Sequence, residues 1–328
     1  MALPRFATGR DPAAKIRIGF LGAAHSHALE KWRTVSALAD YEPIGLCEES
    51  VAVRESFAKP ASFFSRDELL ARCDVVAVES AVRDHARDAT LALKAGRHVH
   101  VEKPPTVVLR DCEELARLAR DKNLLLQTGY MWRFHPGINR ALEAAQRGWL
   151  GEVFLMRGTI NTFVDAKRRP EWAEFKGGTM FELGCHLIDP VVRLLGKPTK
   201  VTPHLQRRGD DSLADNCVAV LEFAQAQAIV TSATVQPNAF PHRSFEILGT
   251  NGVARVQPLE PPSLTLDLVK PAGPYAAGVQ KVELPSYRRY LPEFTELAAA
   301  LRERRALAVS PEPEVLVHET LLRACDML

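Results

Sequence analysis

The chain has no apolar run approaching the roughly 20 residues that cross a bilayer, no block of like charge, and no two cysteines in a C-x-x-C pair. The first absence argues against a membrane protein. The second is quantitative: 42 Lys and Arg are balanced by 40 Asp and Glu scattered along the sequence. Nothing therefore resembles the basic arm by which proteins hold nucleic acid or anionic membranes. The third excludes a zinc knuckle and a disulfide framework, so Cys47, Cys73, Cys112, Cys185, Cys217 and Cys325 read as buried small hydrophobes. The opening stretch MALPRFATGRDPAAK lacks the continuous apolar core of a secretory signal, and a cytoplasmic location with a small-molecule partner is expected.

What is present is a chain of 328 residues with ordinary globular composition, long enough for two domains. Five short apolar runs, IRIGFLG, YEPIGLCEE, DVVAVES, RHVHVEK and NLLLQTGY, alternate with segments of helical length. That rhythm predicts a doubly wound parallel sheet over residues 15–130, after a loose arm at 1–14. From 131 to 328 the runs lengthen and alternate, as in GEVFLMRGTINTFV, NCVAVLEFA, QAIVTSATV, SFEILGTNGVARVQP and LTLDLV, with Asn251-Gly252 as a hairpin signal. A second, α+β domain built on a largely antiparallel sheet is expected there.

Three stretches carry candidate chemistry. In KIRIGFLGAAHSHALEKW, residues 15–32, a dinucleotide loop would read G-x-G-x-x-G, and this chain places Gly22, Ala24 and His27 at the three glycine positions. Near the spacing at which an acid receives the adenosine ribose, Glu48 closes the second strand. With Glu49 beside it, the site repels a 2′-phosphate and favours NAD over NADP, Arg54 being the opposing charge nearby. The fourth strand ends in Glu102-Lys103-Pro104, beyond the carboxyl edge where parallel sheets bind ligands, although such a lysine is equally an ordinary surface charge. In KGGTMFELGCHLIDPVVRLLG, a helix beginning near Thr179 aligns Glu182, His186 and Asp189 on one face, behind a Gly177-Gly178 pair that permits close backbone approach. Thr179 and Glu182 also fit a capping box, which leaves a structural reading open.

Taken in order, AGRHVHVEKP, LLLQTGYMWRFHP, GEV, GGTMFELGCHLIDPVVRLLGKP and the terminal LLRA resemble the Gfo/Idh/MocA family of nicotinamide-dependent sugar oxidoreductases over nearly the whole chain. The resemblance implies an N-terminal Rossmann domain and a C-terminal α+β domain with a large, mostly antiparallel open sheet, through which members form homodimers or homotetramers. It implies NAD as the cofactor, held by Gly22, Ala24, His25, His27 and Glu48 on the loop side and by Ser80, His85, Glu102 and Lys103 at the ends of later strands. It maps the family's catalytic lysine onto Lys103, its catalytic histidine onto His186 and its usual aspartate onto Glu182. Two departures stand out: His27 is bulky where a small residue is usual, and Ser80-Ala81-Val82 replaces a Thr-Pro-Asn-like segment before His85.

The implied reaction moves a hydride between the nicotinamide and a secondary alcohol or ketone of a sugar, inositol or related polyol. His186 is then the base, Glu182 its neighbour one turn away, and Lys103 the group that stabilises developing charge on oxygen. Arg133 and Trp172 are substrate-pocket candidates that could equally be structural. Two alternatives stay open, a redox-neutral glycoside-cleaving enzyme that keeps its NAD and a noncatalytic dinucleotide-binding regulator. His25, His27, Glu182 and His186 also have ligand spacings for a metal, but the family works without one and none is expected.

Overall fold

The structure, a computed structural model, describes residues 14–57, 61–309 and 312–328. The expected arm at 1–14 falls outside them except for its last residue. The described residues form two compact units, one of those up to 130 together with those in 288–315, the other of 131–287 and 316–328.

In the first unit β1 (Ile16–Leu21), β2 (Tyr41–Cys47), β3 (Val75–Val78), β4 (His98–Val101) and β5 (Leu126–Thr128) form a parallel sheet in the order β2-β1-β3-β4-β5. All five strands coincide with the five apolar runs. The switch in order lies at β1, whose carboxyl end meets the loop containing Gly22. Helices α1 (Ala28–Ala37), α2 (Val51–Ser56), α3 (Arg66–Arg72), α4 (His85–Lys94) and α5 (Leu109–Asp121) connect the strands. One core buries Val76, Val78, Val99 and Val101 of the sheet with Leu69, Leu93 and Leu115 of the helices. Helix α5 turns Cys112, Leu115 and Ala119 inward and its charges outward, the 3.6-residue stripe its sequence shows.

The second unit begins with α6 (Pro136–Gln146) and β6 (Val153–Thr159), then α7 (Arg169–Ala173), a π-helical turn (Met180–Gly184) and α8 (Cys185–Leu195). Seven further strands follow: β7 (Lys200–Gln206), β8 (Asn216–Glu222), β9 (Gln227–Ala233), β10 (Ser244–Gly249), β11 (Gly252–Val256), β12 (Leu264–Leu268) and β13 (Gly278–Val282). With β6 they make an eight-stranded sheet, antiparallel except where β6 pairs with β9. Strand β8 alternates buried and half-buried residues, as expected of a sheet with one covered face. The hairpin signal is displaced by one residue: Gly249 pairs with Gly252, so Thr250 and Asn251 form the loop and Gly252 opens β11. Gly252 lacks a side chain for another reason, since a Cβ there would strike the Asp267 carbonyl of the neighbouring strand.

The division between units departs from a single boundary at 130. Helix α9 (Leu291–Glu303) lies in the stretch assigned from sequence to the second domain, yet it belongs to the Rossmann unit. Buried Tyr41 donates its hydroxyl to the Phe294 carbonyl at 2.7 Å, Gln127 donates to the Glu293 carbonyl at 3.2 Å, and Thr128 donates to Glu314 at 2.6 Å. Helix α10 (Glu312–Ala324) is the last element. No helix among the described residues is long and apolar enough to cross a membrane.

Tyr41→Phe removes only the hydroxyl that ties β2 to α9. It is expected to lower the unfolding free energy by about 1 kcal/mol in a denaturant titration. An unchanged midpoint would contradict the packing of the returning segment on the first sheet.

Candidate functional site

The dinucleotide loop is built on its one surviving glycine. Gly22 has φ +74°, and a Cβ there would lie 2.5 Å from Ser80 Cα, so both conformation and space require glycine. Ala24 and His27 need no such freedom. His27 caps α1 with φ −84° and turns its ring inward, its Nδ1 lying 3.3 Å from Glu102 and its centroid 5.4 Å from the Tyr290 ring. Burial lowers the His27 pKa to about 4, against the pull of Glu102, so the ring is neutral near pH 7. Glu48 clamps the loop from the end of β2: it accepts from Ala23 N–H at 2.8 Å and from Ser50 N–H at 2.8 Å.

Of the cofactor candidates, Gly22, Ala24, Glu48 and Ser80 line one open cleft of about 760 Å³, which Arg54 and Arg66 also line. Those residues fit a dinucleotide: a glycine turn at a helix start, a cradle closed to any Cβ, and an acid at the ribose position. His85 is placed differently. It is fully buried between the ends of two strands, with Nδ1 2.8 Å from the Pro104 carbonyl and Nε2 3.0 Å from the Ser80 carbonyl, and as a neutral ring it donates to one of the two.

Beneath the loop lies a polar cluster that the sequence reading missed. Lys31, on α1, is wholly buried and its ammonium meets Glu79 Oε1 at 2.9 Å, His100 Nε2 at 2.8 Å and Glu102 Oε2. An ammonium has three protons, and here each has an acceptor. Glu79 follows β3, His100 lies within β4, and Glu102 follows β4, so the cluster sits at the carboxyl ends of the central strands. Burial alone would raise the Glu102 pKa, but Lys31, His27 and His25 outweigh it and hold the carboxyl well below its usual range. At Glu79 burial wins over Lys31, and with Glu102 adding to the rise the carboxyl is pushed up to about 7. A signal was available: Ala28, Lys31, Trp32 and Val35 share the buried stripe of α1, and a lysine on an apolar stripe needs a buried partner.

His25, His27 and Glu102 also bring ligand-type atoms within 4.8 Å of one another. The Glu102 oxygen facing both rings is, however, the one bonded to Lys31. A metal ion there would sit against an ammonium, and that repulsion argues against the grouping as a metal site.

In the second unit the expected helix start is altered. Thr179 does not form the capping box with Glu182; its hydroxyl pairs with Ser232 Oγ at 2.8 Å and its N–H donates to the Ala214 carbonyl at 2.9 Å. The chain instead enters α8 through the π-helical turn that contains Glu182, a wider winding often found at functional positions. The glycine pair does allow close approach, because a Cβ on Gly178 would strike the Ala214 carbonyl and one on Gly177 would strike Cys325. His186 is buried on the first turn of α8, its ring 5.2 Å from that of Trp132, while Glu182 is half-buried. Arg133 is buried and donates through Nε to Asp189 at 2.9 Å, so the carboxylate aligned with His186 anchors the arginine. Trp172 packs with Val164 and Leu213 under the Arg168 guanidinium.

The raised Glu79 pKa carries a sign. The folded chain holds this proton more tightly than the unfolded one, whose carboxyl keeps the ordinary value of 4.5. Stability from Glu79 is thus fully present below pH 4.5 and is lost as pH rises through 7. Glu79→Gln removes the loss, and its unfolding free energy relative to wild type is expected to climb between pH 5 and pH 8 by on the order of 2–3 kcal/mol. A difference independent of pH would contradict the assignment.

The oxidoreductase-family model of an NAD-binding Rossmann fold matches residues 16–130, and the Gfo/Idh/MocA C-terminal domain matches residues 138–255. An uncharacterized oxidoreductase of Schizosaccharomyces pombe is 31% identical over 204 residues, 59% of this chain and 55% of that protein. The scyllo-inositol 2-dehydrogenase (NADP+) of Bacillus subtilis is 24% identical over 336 residues, 94% of this chain and 92% of its own length. The chain spans about half the length of several curated relatives it matches. Among solved structures, UDP-N-acetylglucosamine 3-dehydrogenase from Acidithiobacillus ferrooxidans shares the fold with a TM-score of 0.80 at 20% identity, covering 96% of this chain and 98% of that one. With the Rossmann match spanning the Gly22 loop and Lys103, and the C-terminal match spanning the π-helical turn and His186, the chain belongs to the Gfo/Idh/MocA oxidoreductase family.

Proposed function

We propose that this protein is an NAD-dependent oxidoreductase acting on a secondary alcohol or ketone of a sugar, inositol or related polyol. The observation that carries the reading is the Gly22 loop, clamped by Glu48 at the end of β2, in a sheet whose fourth strand delivers Lys103. The named activity of the Bacillus relative supports the substrate class.

A bound nicotinamide supplies the hydride acceptor or donor. The chain supplies the rest. His186 takes the proton of the reacting hydroxyl and returns it in the reverse direction, the acid–base exchange for which an imidazole is suited. Glu182, in the π-helical turn before it, supports the charged ring. Lys103 hydrogen-bonds the reacting oxygen and offsets its developing negative charge. Trp172, buried with Val164 and Leu213 under Arg168, and Arg133, bonded to Asp189, support the second unit from within. His186→Ala and Lys103→Ala are each expected to lower kcat on a turned-over polyol by roughly 10² or more with little change in melting temperature. Near-wild-type kcat in either variant would remove that residue from the mechanism.

The preference for NAD over NADP rests on Glu48 and Glu49. Arg54, the nearby cation that favours a 2′-phosphate, donates to the Glu48 carbonyl and stacks on Phe63 with its guanidinium 5.3 Å from the ring centre. Calorimetric titration is expected to give at least about tenfold tighter binding of NAD, the cost of about 1.4 kcal/mol for setting a phosphate against acidic side chains. Tighter NADP binding would contradict the preference. The reading extends to a cytoplasmic homodimer or homotetramer joined through the open sheet, where Phe154 is exposed on β6.

A further inference from the structure

We propose that Lys31 is a positioning residue for Lys103, acting through the Glu102 carboxylate. The inference rests on the reading of Lys103 as the group that meets the reacting oxygen, and adds what holds it in place.

The hydrogen bonds form a chain in which every donor is determined. Gln127 donates through its amide nitrogen to the Glu293 carbonyl at 3.2 Å, which leaves its oxygen as acceptor for His100 Nδ1 at 2.9 Å. His100 therefore carries its proton on Nδ1 and presents Nε2 as acceptor to Lys31. Lys31 gives its remaining protons to Glu79 and to Glu102 Oε2. The other oxygen of Glu102, Oε1, accepts the backbone N–H of Lys103 at 2.9 Å. A continuous series of bonds thus runs from the α9 backbone to the peptide nitrogen of Lys103, and Lys31 is the link that fixes both position and charge of Glu102.

The space around the ammonium is matched to this task. Gly129, just beyond β5, bonds its N–H to the Val101 carbonyl at 2.8 Å. A Cβ on it would lie 3.0 Å from Lys31 Nζ and 3.4 Å from Glu102 Oε2. Glycine at 129 therefore leaves the room that Lys31 fills. The same carboxylate faces His27 on the dinucleotide loop, so Glu102 serves the loop and the lysine together. Without Lys31, Glu102 would be a buried carboxylate beside Glu79 with no cation to hold it, and would protonate or swing away. Either change weakens or breaks the bond from the Lys103 N–H to Glu102 Oε1, and a misplacement of about 1 Å at a reacting group can cost 10²-fold in rate.

The test is a double-mutant cycle of Lys31→Met and Lys103→Ala in the full chain, read as single-turnover rate with NAD and whichever polyol is turned over. Lys31→Met is expected to slow the wild-type background by about 10- to 100-fold and the Lys103→Ala background by less than about twofold, the non-additivity of two residues that act as one unit. Equal losses in both backgrounds, or wild-type rate in Lys31→Met, would overturn the proposal. A Lys103→Ala variant that keeps full rate would instead strike the reading of Lys103, a distinct failure. Should Lys31→Met not fold, Gly129→Ala, whose Cβ would press on the ammonium without removing it, takes its place in the cycle with a smaller loss that likewise vanishes in the Lys103→Ala background. If no polyol is turned over, amide hydrogen exchange decides. Loss of Lys103 protection by about 100-fold, with Val99 and Val101 within about threefold, supports the proposal, and unchanged Lys103 protection overturns it.

Discussion

One buried ammonium organises the carboxyl edge of the Rossmann sheet. Taking Lys31 out of water costs several kcal/mol, and only a full set of acceptors offsets that cost. Glu79, His100 and Glu102 provide them, each from the strand or strand end that geometry brings nearest. The arrangement carries more acid than base, because Glu293 of α9 is also buried nearby. Part of that excess is relieved by protonation at Glu79. The cluster is therefore a strained balance in which a change at any member is felt by the others, and two of its neighbours are the dinucleotide loop and Lys103.

That balance explains how the loop tolerates its departures from the usual fingerprint. A third glycine would let helix and strand pack closely; here His27 fills the space and leans on Glu102. The loop is restrained on its other side by Glu48, which bonds the Ala23 amide. Only Gly22 keeps a conformation and a clearance that no other residue can adopt. The binding function of the motif depends on backbone geometry at that one position, and side chains have replaced the other two glycines as packing elements.

The strands of both units were legible wherever one face or both are buried, because burial imposes apolar runs in the parallel sheet and alternation in the antiparallel one. The two edge strands of the eight-stranded sheet were not. β7 carries Pro203 and a largely half-exposed surface, and β13 reads GVQKV with one buried residue; at an edge the chain is free of the constraint that writes a pattern. The capping box at Thr179 and Glu182 fitted the sequence, yet the hydroxyl pairs instead with Ser232 on β9. Long-range placement was equally hidden: nothing local marks α9 as part of the Rossmann unit, since its ties to Tyr41 and Gln127 join residues far apart in sequence. Candidate chemistry at Gly22, Glu48 and Lys103 was visible through motif spacing, whereas Lys31 belongs to no motif and is marked only by its place on the buried stripe of α1.

The central claim is that the chain moves a hydride between a carbinol carbon and a nicotinamide. The most direct measurement supplies NAD with a polyol deuterated at its carbinol carbon and follows the label by mass spectrometry in cofactor and product. The account predicts one deuterium in the reduced nicotinamide for each alcohol oxidised. Product that forms while the label stays wholly in the carbohydrate, with no reduced cofactor, would contradict it.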